Sequence, residues 1–328
     1  MKEYRIIDYS IEYQQKLKDF LKKHNPSFSD VYVDFLVENA WNDKHEDPAI
    51  LVVDEDDNIV GEHLFFYTKA KINGVEQDVR WSHDTYLEES ARRYIGLDFV
   101  LEINSRKNCF GIGLSDVNKK IIQKINRAAF LPVYTFLLFN PYLLLGILKR
   151  PFVKTIKQFD YPDSFAVKGI TFKKLTDINT LQIPNQGYWG GQDVYDIEFV
   201  RDRDYIKRRF FTNPVFKYTM YHNNDSYFIV RPIIYRGFKT LSIVDYRYNM
   251  SKQDNLDILL KAFTTLAKKN HCGITSIITS ELAMFEKLKK TPWKRMRIGD
   301  LSFAKKFVNK DNYSVMATIA DPDGEYHL

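Results

Sequence analysis

The segment from residue 81 to residue 97, WSHDTYLEESARRYIGL, contains a pair of arginines shortly before a glycine. The pattern predicts an apolar strand that runs into a loop, and a following helix whose first turn contains Gly96. Unpaired amides at a helix start and the helix dipole both favour a bound anion. Arg92 and Arg93 would add positive charge there, and Gly96 would let a phosphate approach the backbone. The segment therefore indicates a pyrophosphate site, although a solvated arginine pair in a loop gives the same pattern.

Four polar side chains on predicted central strands could serve as a general base: Glu62, His63, His83 and Asp84. A carboxylate or an imidazole could take a proton from an attacking nucleophile, directly or through water. Side chains alternate between the faces of a sheet, so only one member of each adjacent pair faces a given side. A half-buried polar residue with satisfied hydrogen bonds is the simpler interpretation for each. We take Glu62, His83 and Asp84 as the catalytic candidates.

The elements that would position these residues follow a regular order over residues 4–139: strand, two helices, three-strand meander, helix, strand, helix and strand. Asn73-Gly74 is the strongest turn signal in the chain and predicts a hairpin within the meander. A loop is predicted over residues 88–94 and a helix over residues 96–105. The strand–helix–strand unit implies one parallel step in a mostly antiparallel sheet.

The second half of the chain repeats this order of elements without visible sequence identity to the first half, which predicts two domains. We expect a first domain over residues 1–140, a connecting helix and linker over residues 141–164, and a second domain over residues 165–328. Both would be α/β domains of the α+β type, each with a mixed, mostly antiparallel sheet flanked by helices. In the second domain a strand is predicted over residues 166–175 and a helix over residues 197–211.

Composition restricts the classes of protein that fit. The chain has 328 residues, a formal net charge of +6 and dispersed basic residues, so no nucleic-acid partner is expected. Its two cysteines lack metal-ligand spacing and cannot form a disulfide framework, so no metal site and a reducing, cytoplasmic location are expected. The apolar residues 128–148 contain Asn140-Pro141, which predicts a buried strand followed by a helix rather than a transmembrane span.

The strand, loop and helix around Arg93 resemble the acyl-CoA-binding motif of the GNAT superfamily of N-acyltransferases, whose pattern is Arg/Gln-x-x-Gly-x-Gly/Ala. Arg93 and Gly96 match the pattern, and Asp98 departs from it at the last position. The strand before them resembles the one that pairs with the pantetheine arm, and Asn118 resembles an asparagine near that arm. The resemblance implies that acetyl-CoA or another acyl-CoA contacts a set of eight residues: Thr85, Tyr86, Leu87, Arg92, Arg93, Tyr94, Gly96 and Asn118.

The same resemblance implies acyl transfer by direct attack of an amine, which could belong to a small molecule, an aminosugar or a peptide. The tyrosine that often protonates the leaving thiolate is missing from residues 120–125, so the general acid is not assigned. Residues 199–218 resemble tandem GNAT proteins of bacterial polysaccharide gene clusters, but the second half has no Arg-x-x-Gly and is expected not to bind CoA. Two alternatives stay open: a non-catalytic binding or regulatory protein, and an aminoacyl-tRNA-dependent transferase.

Overall fold

The computed structural model describes residues 3–38, 48–106, 108–113, 116–124, 128–149, 159–181, 195–252, 254–307 and 313–321. The chain divides into two compact units. Unit 1 comprises Met1–Ala70, Glu76–Phe130 and Asp300–Asn309, and unit 2 comprises Lys71–Val75, Leu131–Gly299 and Lys310–Leu328. The tip of one hairpin is thus grouped with unit 2, and a short C-terminal segment is grouped with unit 1. The domain limits given above remain predictions.

Unit 1 is built around a mixed sheet. Its elements in chain order are β1 (Arg5–Asp8), α1 (Gln14–His24), α2 (Asp30–Glu38), β2 (Ala49–Val53), β3 (Ile59–Ile72), β4 (Val75–Leu87), α3 (Glu89–Ser105), β5 (Cys109–Ile112), α4 (Asp116–Lys124) and the C-terminal part of β14 (Lys294–Ala304). The strand order is β1-β2-β3-β4-β5-β14. β4 and β5 run parallel, whereas β1–β2, β2–β3 and β5–β14 are antiparallel pairs.

Apolar residues at helical spacing attach the helices of unit 1 to this sheet. α1 buries Leu17, Phe20 and Leu21, which lie three and four residues apart on one stripe. α3 buries a residue every fourth position, and these side chains pack on β2, β3 and the end of β4. The residues of α3 in this core are Ala91, Ile95, Phe99 and Ile103.

Unit 2 also has a mixed set of hydrogen-bonded strands, with its own core. Its elements are β6 (Ala128–Phe139), α5 (Tyr142–Lys149), β7 (Ser164–Val167), β8 (Ile170–Lys174), β9 (Ile197–Phe199), α6 (Arg203–Ile206), β10 (Thr219–His222), β11 (Ser226–Tyr235), β12 (Phe238–Tyr248), α7 (Asn255–Lys269), β13 (Ile274–Thr279), α8 (Leu282–Lys289) and β15 (Val315–Met316). The strand order is β6-β13-β12-β11-β10-β8-β7, with β12 and β13 parallel. Buried residues of α7 and α8 form one cluster with the sheet. The predicted mixed, mostly antiparallel sheets are therefore confirmed.

The strand predicted over residues 166–175 is wrong, because the chain reverses in its middle. β7 and β8 form a hairpin in which Val167 pairs with Ile170. Lys168 and Gly169 form the turn with φ values of 49° and 80°. Positive φ at two successive residues is the conformation of a tight hairpin turn, and it cannot be part of a continuous strand.

The helix predicted over residues 197–211 is wrong in its first turns. Residues Ile197–Phe199 are strand β9, which pairs in parallel with β15. The helix starts only at Arg203, because the carboxylate of Asp202 accepts a hydrogen bond from the Tyr205 amide at 2.7 Å and caps it. Capping at residue 202 leaves the preceding residues free to remain extended.

The apolar residues 128–148 form β6 and α5, as predicted. Asn140 lies between the two elements, and Pro141 occupies the turn before α5. Among the described helices, none is long and apolar enough to cross a bilayer.

The close approach of β3 to the end of β4 predicts a cost for a side chain at Gly61. A Cβ at this position would lie 2.5 Å from Leu87 Cδ1 and 3.2 Å from the Tyr86 carbonyl oxygen. We expect Gly61→Ala to lower the free energy of unfolding by about 1–3 kcal/mol, measured by urea denaturation. Gly96→Ala is the matched control, because its Cβ would meet only ordinary contacts at 3.8 Å or more. An equal loss of stability in both variants would contradict this account.

Candidate active site on β3 and β4

β4 and β5 diverge after a very short pairing. Their register contains two pairs, Arg80↔Cys109 and Trp81↔Phe110. β4 continues to Leu87, whereas β5 pairs on its other side with β14. β5 therefore does not cover the edge of β4 beyond Trp81, and an extended ligand could pair with the backbone there.

The part of β4 beyond its last pair with β5 is interrupted at Asp84. This residue has φ of 45°, a left-handed conformation that is uncommon outside glycine. Its carboxylate accepts a hydrogen bond from the Thr85 amide at 2.8 Å and a long one from Asn25 Nδ2 at 3.4 Å. The catalytic candidate Asp84 therefore braces its own backbone at the point where β4 leaves the regular ladder.

Glu62 is a fully buried carboxyl group beside this irregularity. Neither of its oxygens has a hydrogen-bond partner among the described residues. Burial raises the pKa of Glu62 well above its usual value of 4.5, and the charge of Asp84 adds to the increase, while the nearby Tyr86 amide opposes it. A buried carboxyl in this state is energetically costly to the fold. A ligand that brings a hydrogen-bond donor or a positive charge would remove much of this cost.

His83 lies on the same face as Glu62 but is held by its neighbours. It is buried, its Nε2 is 3.3 Å from the Tyr32 hydroxyl, and its ring lies 4.6 Å from that of Phe66. The structure thus brings Glu62 and Asp84 together at the open part of β4 and places His83 in the packing against α2. The catalytic role of all three residues remains a prediction.

The opposite face of β3 carries a chain of four hydrogen-bonded side chains. His63 Nδ1 lies 2.7 Å from Thr85 Oγ1, and His63 Nε2 lies 3.1 Å from Ser82 Oγ. Ser82 Oγ is in turn 3.2 Å from Cys109 Sγ. Burial lowers the pKa of His63 to about 3, with a smaller contribution from His83. Sequence analysis missed Ser82 and Cys109, because only the register between three strands brings them beside the histidine.

The loop predicted over residues 88–94 is wrong, since α3 already begins at Glu89. Arg92, Arg93 and Gly96 therefore lie within a helix and not in a loop that precedes one. The Arg92 Nε donates to the Leu87 carbonyl at 2.8 Å, and the Arg93 guanidinium lies over the Tyr94 ring at 4.7 Å. The apolar residues at every fourth position from residue 91 onward indicate this earlier helix start.

The start of α3 carries two acidic residues. Glu88 occupies the position before the helix, and Glu89 is exposed in its first turn. The Glu88 carboxylate pairs with Lys23 at 2.9 Å and with His24 at 3.2 Å. Asp98, which departs from the motif, is exposed in the third turn of α3.

The other residues predicted to contact acyl-CoA lie along β4 and at the start of α4. Thr85 is exposed, and Tyr86 is half-buried with its ring stacked on His24 at 4.2 Å. Leu87 is buried against β3. Asn118 is half-buried in the first turn of α4. Their contact with acyl-CoA remains a prediction.

Comparison with solved structures identifies the fold. With a TM-score of 0.56 and 10% identity, the chain is similar to a GCN5-related N-acetyltransferase from Anabaena variabilis ATCC 29413, over 92% of this chain and 72% of that one. The chain has a tandem GNAT fold. Saccharomyces cerevisiae N-myristoyltransferase with bound myristoyl-CoA gives a TM-score of 0.55 at 8% identity, over 92% and 78% of the two chains.

A third similar structure is a conserved protein of unknown function from Enterococcus faecalis V583, described as a probable N-acyltransferase. Its TM-score is 0.54 at 11% identity, over 92% of this chain and 72% of that one. No protein-family model matches the sequence, and no curated protein is detectably similar to it. The similarity therefore establishes the GNAT fold in both halves of the chain.

The second GNAT-like unit has a comparable divergence of parallel strands, but its own chain fills it. β12 and β13 pair as far as Ile243↔Ile277, and β12 then continues to Tyr248. A C-terminal segment lies beyond this point, where the Ala320 amide donates to Val244 at 3.2 Å on β12. On the β13 side, Thr318 bridges Thr279. Residues 317–320 thus pair with the backbone at the divergence of β12 and β13 in unit 2.

A buried ion cluster holds this C-terminal segment of unit 2. Arg201 is fully buried, with its Nε 3.0 Å from Asp245 and its Nη2 2.6 Å from Asp321. Thr318 Oγ1 also donates to Asp245 at 2.8 Å. The cluster therefore links β12 to both ends of the segment that fills the divergence.

We expect Glu62→Gln to change the pH dependence of stability. The folded state raises the pKa of Glu62, so its contribution is fully present below the unfolded pKa of about 4.5 and is lost as the pH rises toward the folded pKa. Glutamine has no such loss. The stability of Glu62→Gln relative to wild type should therefore increase above pH 4.5 by up to about 1.4 kcal/mol per pH unit. Urea denaturation from pH 4.5 to 8 measures it, and parallel curves would contradict the burial of an ionisable carboxyl.

We expect Arg201→Met to destabilise unit 2 strongly, because Asp321 loses its cationic partner inside the protein. Removal of one member of a buried ion pair typically costs about 3–5 kcal/mol. Lys252→Met is the control, since it removes an exposed partner of Asp225 and should cost less than about 1 kcal/mol. Chemical denaturation followed by circular dichroism measures both, and comparable small losses would contradict a structural role for the cluster.

Proposed function

We propose that the chain is an acyl-CoA-dependent N-acyltransferase that moves an acetyl or longer acyl group to an amine. The acceptor amine belongs to a small molecule, an aminosugar or a peptide. The observation that carries the proposal is the buried carboxyl of Glu62, which has no side-chain hydrogen-bond partner among the described residues and lies near the part of β4 that β5 does not pair with. The free thiols of Cys109 and Cys272 fit a reducing, cytoplasmic location.

Glu62 is the proposed general base. Attack by an amine on the thioester carbon forms a C–N bond, and the amine nitrogen must give up a proton to a base. Burial raises the pKa of Glu62, which makes its ionised form a stronger base than an exposed carboxylate. An amine that enters the site also supplies the hydrogen-bond donor that the carboxyl lacks among the described residues.

The open edge of β4 is the proposed site for the pantetheine arm of the acyl-CoA substrate. An extended amide-containing arm can pair with the strand backbone beyond Trp81 as a further strand would. An amide near Leu87 would then polarise the thioester carbonyl, whereas the Tyr86 amide acts on the Glu62 carboxyl. No covalent acyl-enzyme is needed for this reaction.

One observation favours a second candidate function, a binding or regulatory protein that does not catalyse acyl transfer. The start of α3 carries Glu88 and Glu89, and Arg92 is bound to the Leu87 carbonyl. A helix start with two acidic residues is a poor site for a diphosphate. Binding of acyl-CoA without turnover on any amine would support this alternative.

We expect wild-type protein to bind acetyl-CoA or myristoyl-CoA with micromolar affinity, about −8 kcal/mol, in calorimetric titrations. Glu62→Gln should keep this affinity but lower the rate of CoA release with an amine acceptor by about 100-fold or more. Glu76→Gln is the control, since that carboxylate lies exposed on the same hairpin. The proposal fails if neither donor binds, or if Glu62→Gln turns over at the wild-type rate across an amine library.

A further inference from the structure

The hydrogen-bonded chain Thr85–His63–Ser82–Cys109 is not used by the proposed base. Glu62 lies next to His63 on β3 but faces the other side of the sheet, since Leu51 pairs with Glu62 and Ile50 with His63. Thr85, at one end of the chain, is exposed, and Cys109, at the other end, is half-buried. Ser82 is the first residue of β4 after the last pair with β5. The chain therefore runs from solvent to the point where the two strands diverge.

Gly111 of β5 packs next to Ser82. A Cβ at residue 111 would lie 3.6 Å from Ser82 Cβ, 3.9 Å from Ser82 Oγ and 3.1 Å from Ser302 Oγ. The last distance is tighter than an ordinary contact, so glycine at this position lets β5 lie this close to the Ser302 and Ser82 side chains.

Ser82 already contacts a sulfur atom in the protein. Its hydroxyl lies 3.2 Å from the Cys109 thiol, and burial raises the pKa of that thiol, which keeps it protonated. The Ser82 hydroxyl is thus within hydrogen-bond distance of a sulfur atom, one residue beyond the last β4–β5 pair. A thiolate would be a stronger acceptor than a thiol, because hydrogen bonds to ionised groups are shorter and stronger.

We propose that Ser82 is the acid that protonates the CoA thiolate as it leaves, and that His63 and Thr85 are positioning residues that return a proton to Ser82. This inference rests on the proposed acyl transfer. The C–S bond breaks and sulfur keeps the electron pair. The Ser82 hydroxyl proton passes to sulfur, the His63 Nε2 proton to Ser82 Oγ, and the Thr85 hydroxyl proton to His63 Nδ1. Water reprotonates Thr85, while Glu62 releases the amine proton to solvent, so the balance closes.

The relay works with a neutral imidazole throughout. His63 exchanges one ring proton for another and never carries both, which suits a residue whose pKa burial lowers to about 3. The other titratable or charged groups near the chain are His83, Cys109 and Arg80. Arg80 is the fixed positive charge among them, and it would favour a thiolate formed nearby.

The test uses free CoA bound to the full-length protein, so it needs no acceptor. Ultraviolet absorbance of the thiolate gives the pKa of the bound CoA thiol from the difference between complex and free protein. We expect the pKa of the bound CoA thiol to rise by about one unit or more in Ser82→Ala, which is a tenfold or larger fall in its acid dissociation constant. In Thr85→Val the pKa should also rise, but by less. Ser302→Ala removes a hydroxyl beside the same glycine and should leave the value unchanged.

Nitrogen-15 NMR of the histidine rings separates a relay from a purely structural hydrogen bond. In wild type the His63 Nε2 signal should follow the titration of the bound CoA thiol, and in Ser82→Ala it should not. Binding of CoA with the same thiol pKa in wild type and Ser82→Ala overturns the relay but leaves the proposed function intact. Failure of both CoA and acyl-CoA to bind overturns the proposed function and the relay with it.

Discussion

The packing of Leu87 against Gly61 is the constraint on which the rest of unit 1 depends. Leu87 Cδ1 would lie 2.5 Å from a Cβ on residue 61, so only glycine lets the end of β4 stay on β3 at this distance. The Glu88 amide still bonds to the Val60 carbonyl at 2.8 Å, and α3 begins one residue later. The end of β4 is therefore fixed to β3 while β5 turns away. This contact, the start of α3 and the buried Glu62 lie within a few residues of each other on β3 and β4.

The two GNAT-like units differ in what pairs with the backbone at their diverging parallel strands. Diverging parallel strands leave amides and carbonyls that need partners. In unit 2, residues 317–320 supply them, and the buried contacts of Arg201 with Asp245 and Asp321 hold the segment in place. In unit 1, β5 pairs with β4 over two residues only. The proposed pairing of β4 with the acyl-CoA arm would therefore have no counterpart at the diverging strands of unit 2.

Periodicity was enough to predict the layered organisation but not the details that decide the site. Alternation along β3 and β4 and the Asn73-Gly74 turn predicted the hairpin, which the structure confirms. The prediction that the helix starts near Gly96 is wrong, because apolar residues at every fourth position from Ala91 to Ile103 extend the helix on both sides of it. The contact of Ser82 with His63 and Cys109 could not be predicted, because it depends on the register of three strands and on the left-handed conformation of Asp84.

Strand alternation separates the two groups to which we assign the proton transfers of the proposed reaction. Direct attack on a thioester needs a proton removed from the amine on one side of the reacting carbon and a proton supplied to the sulfur on the other. Glu62 and His63 are adjacent, so their side chains point to opposite faces of the sheet. Burial acts on the two residues in opposite senses: it raises the pKa of the carboxyl, which makes its carboxylate a stronger base, and it lowers the pKa of the imidazole, which keeps His63 uncharged. The proposed base and the proposed proton relay would therefore lie on opposite faces of the same sheet.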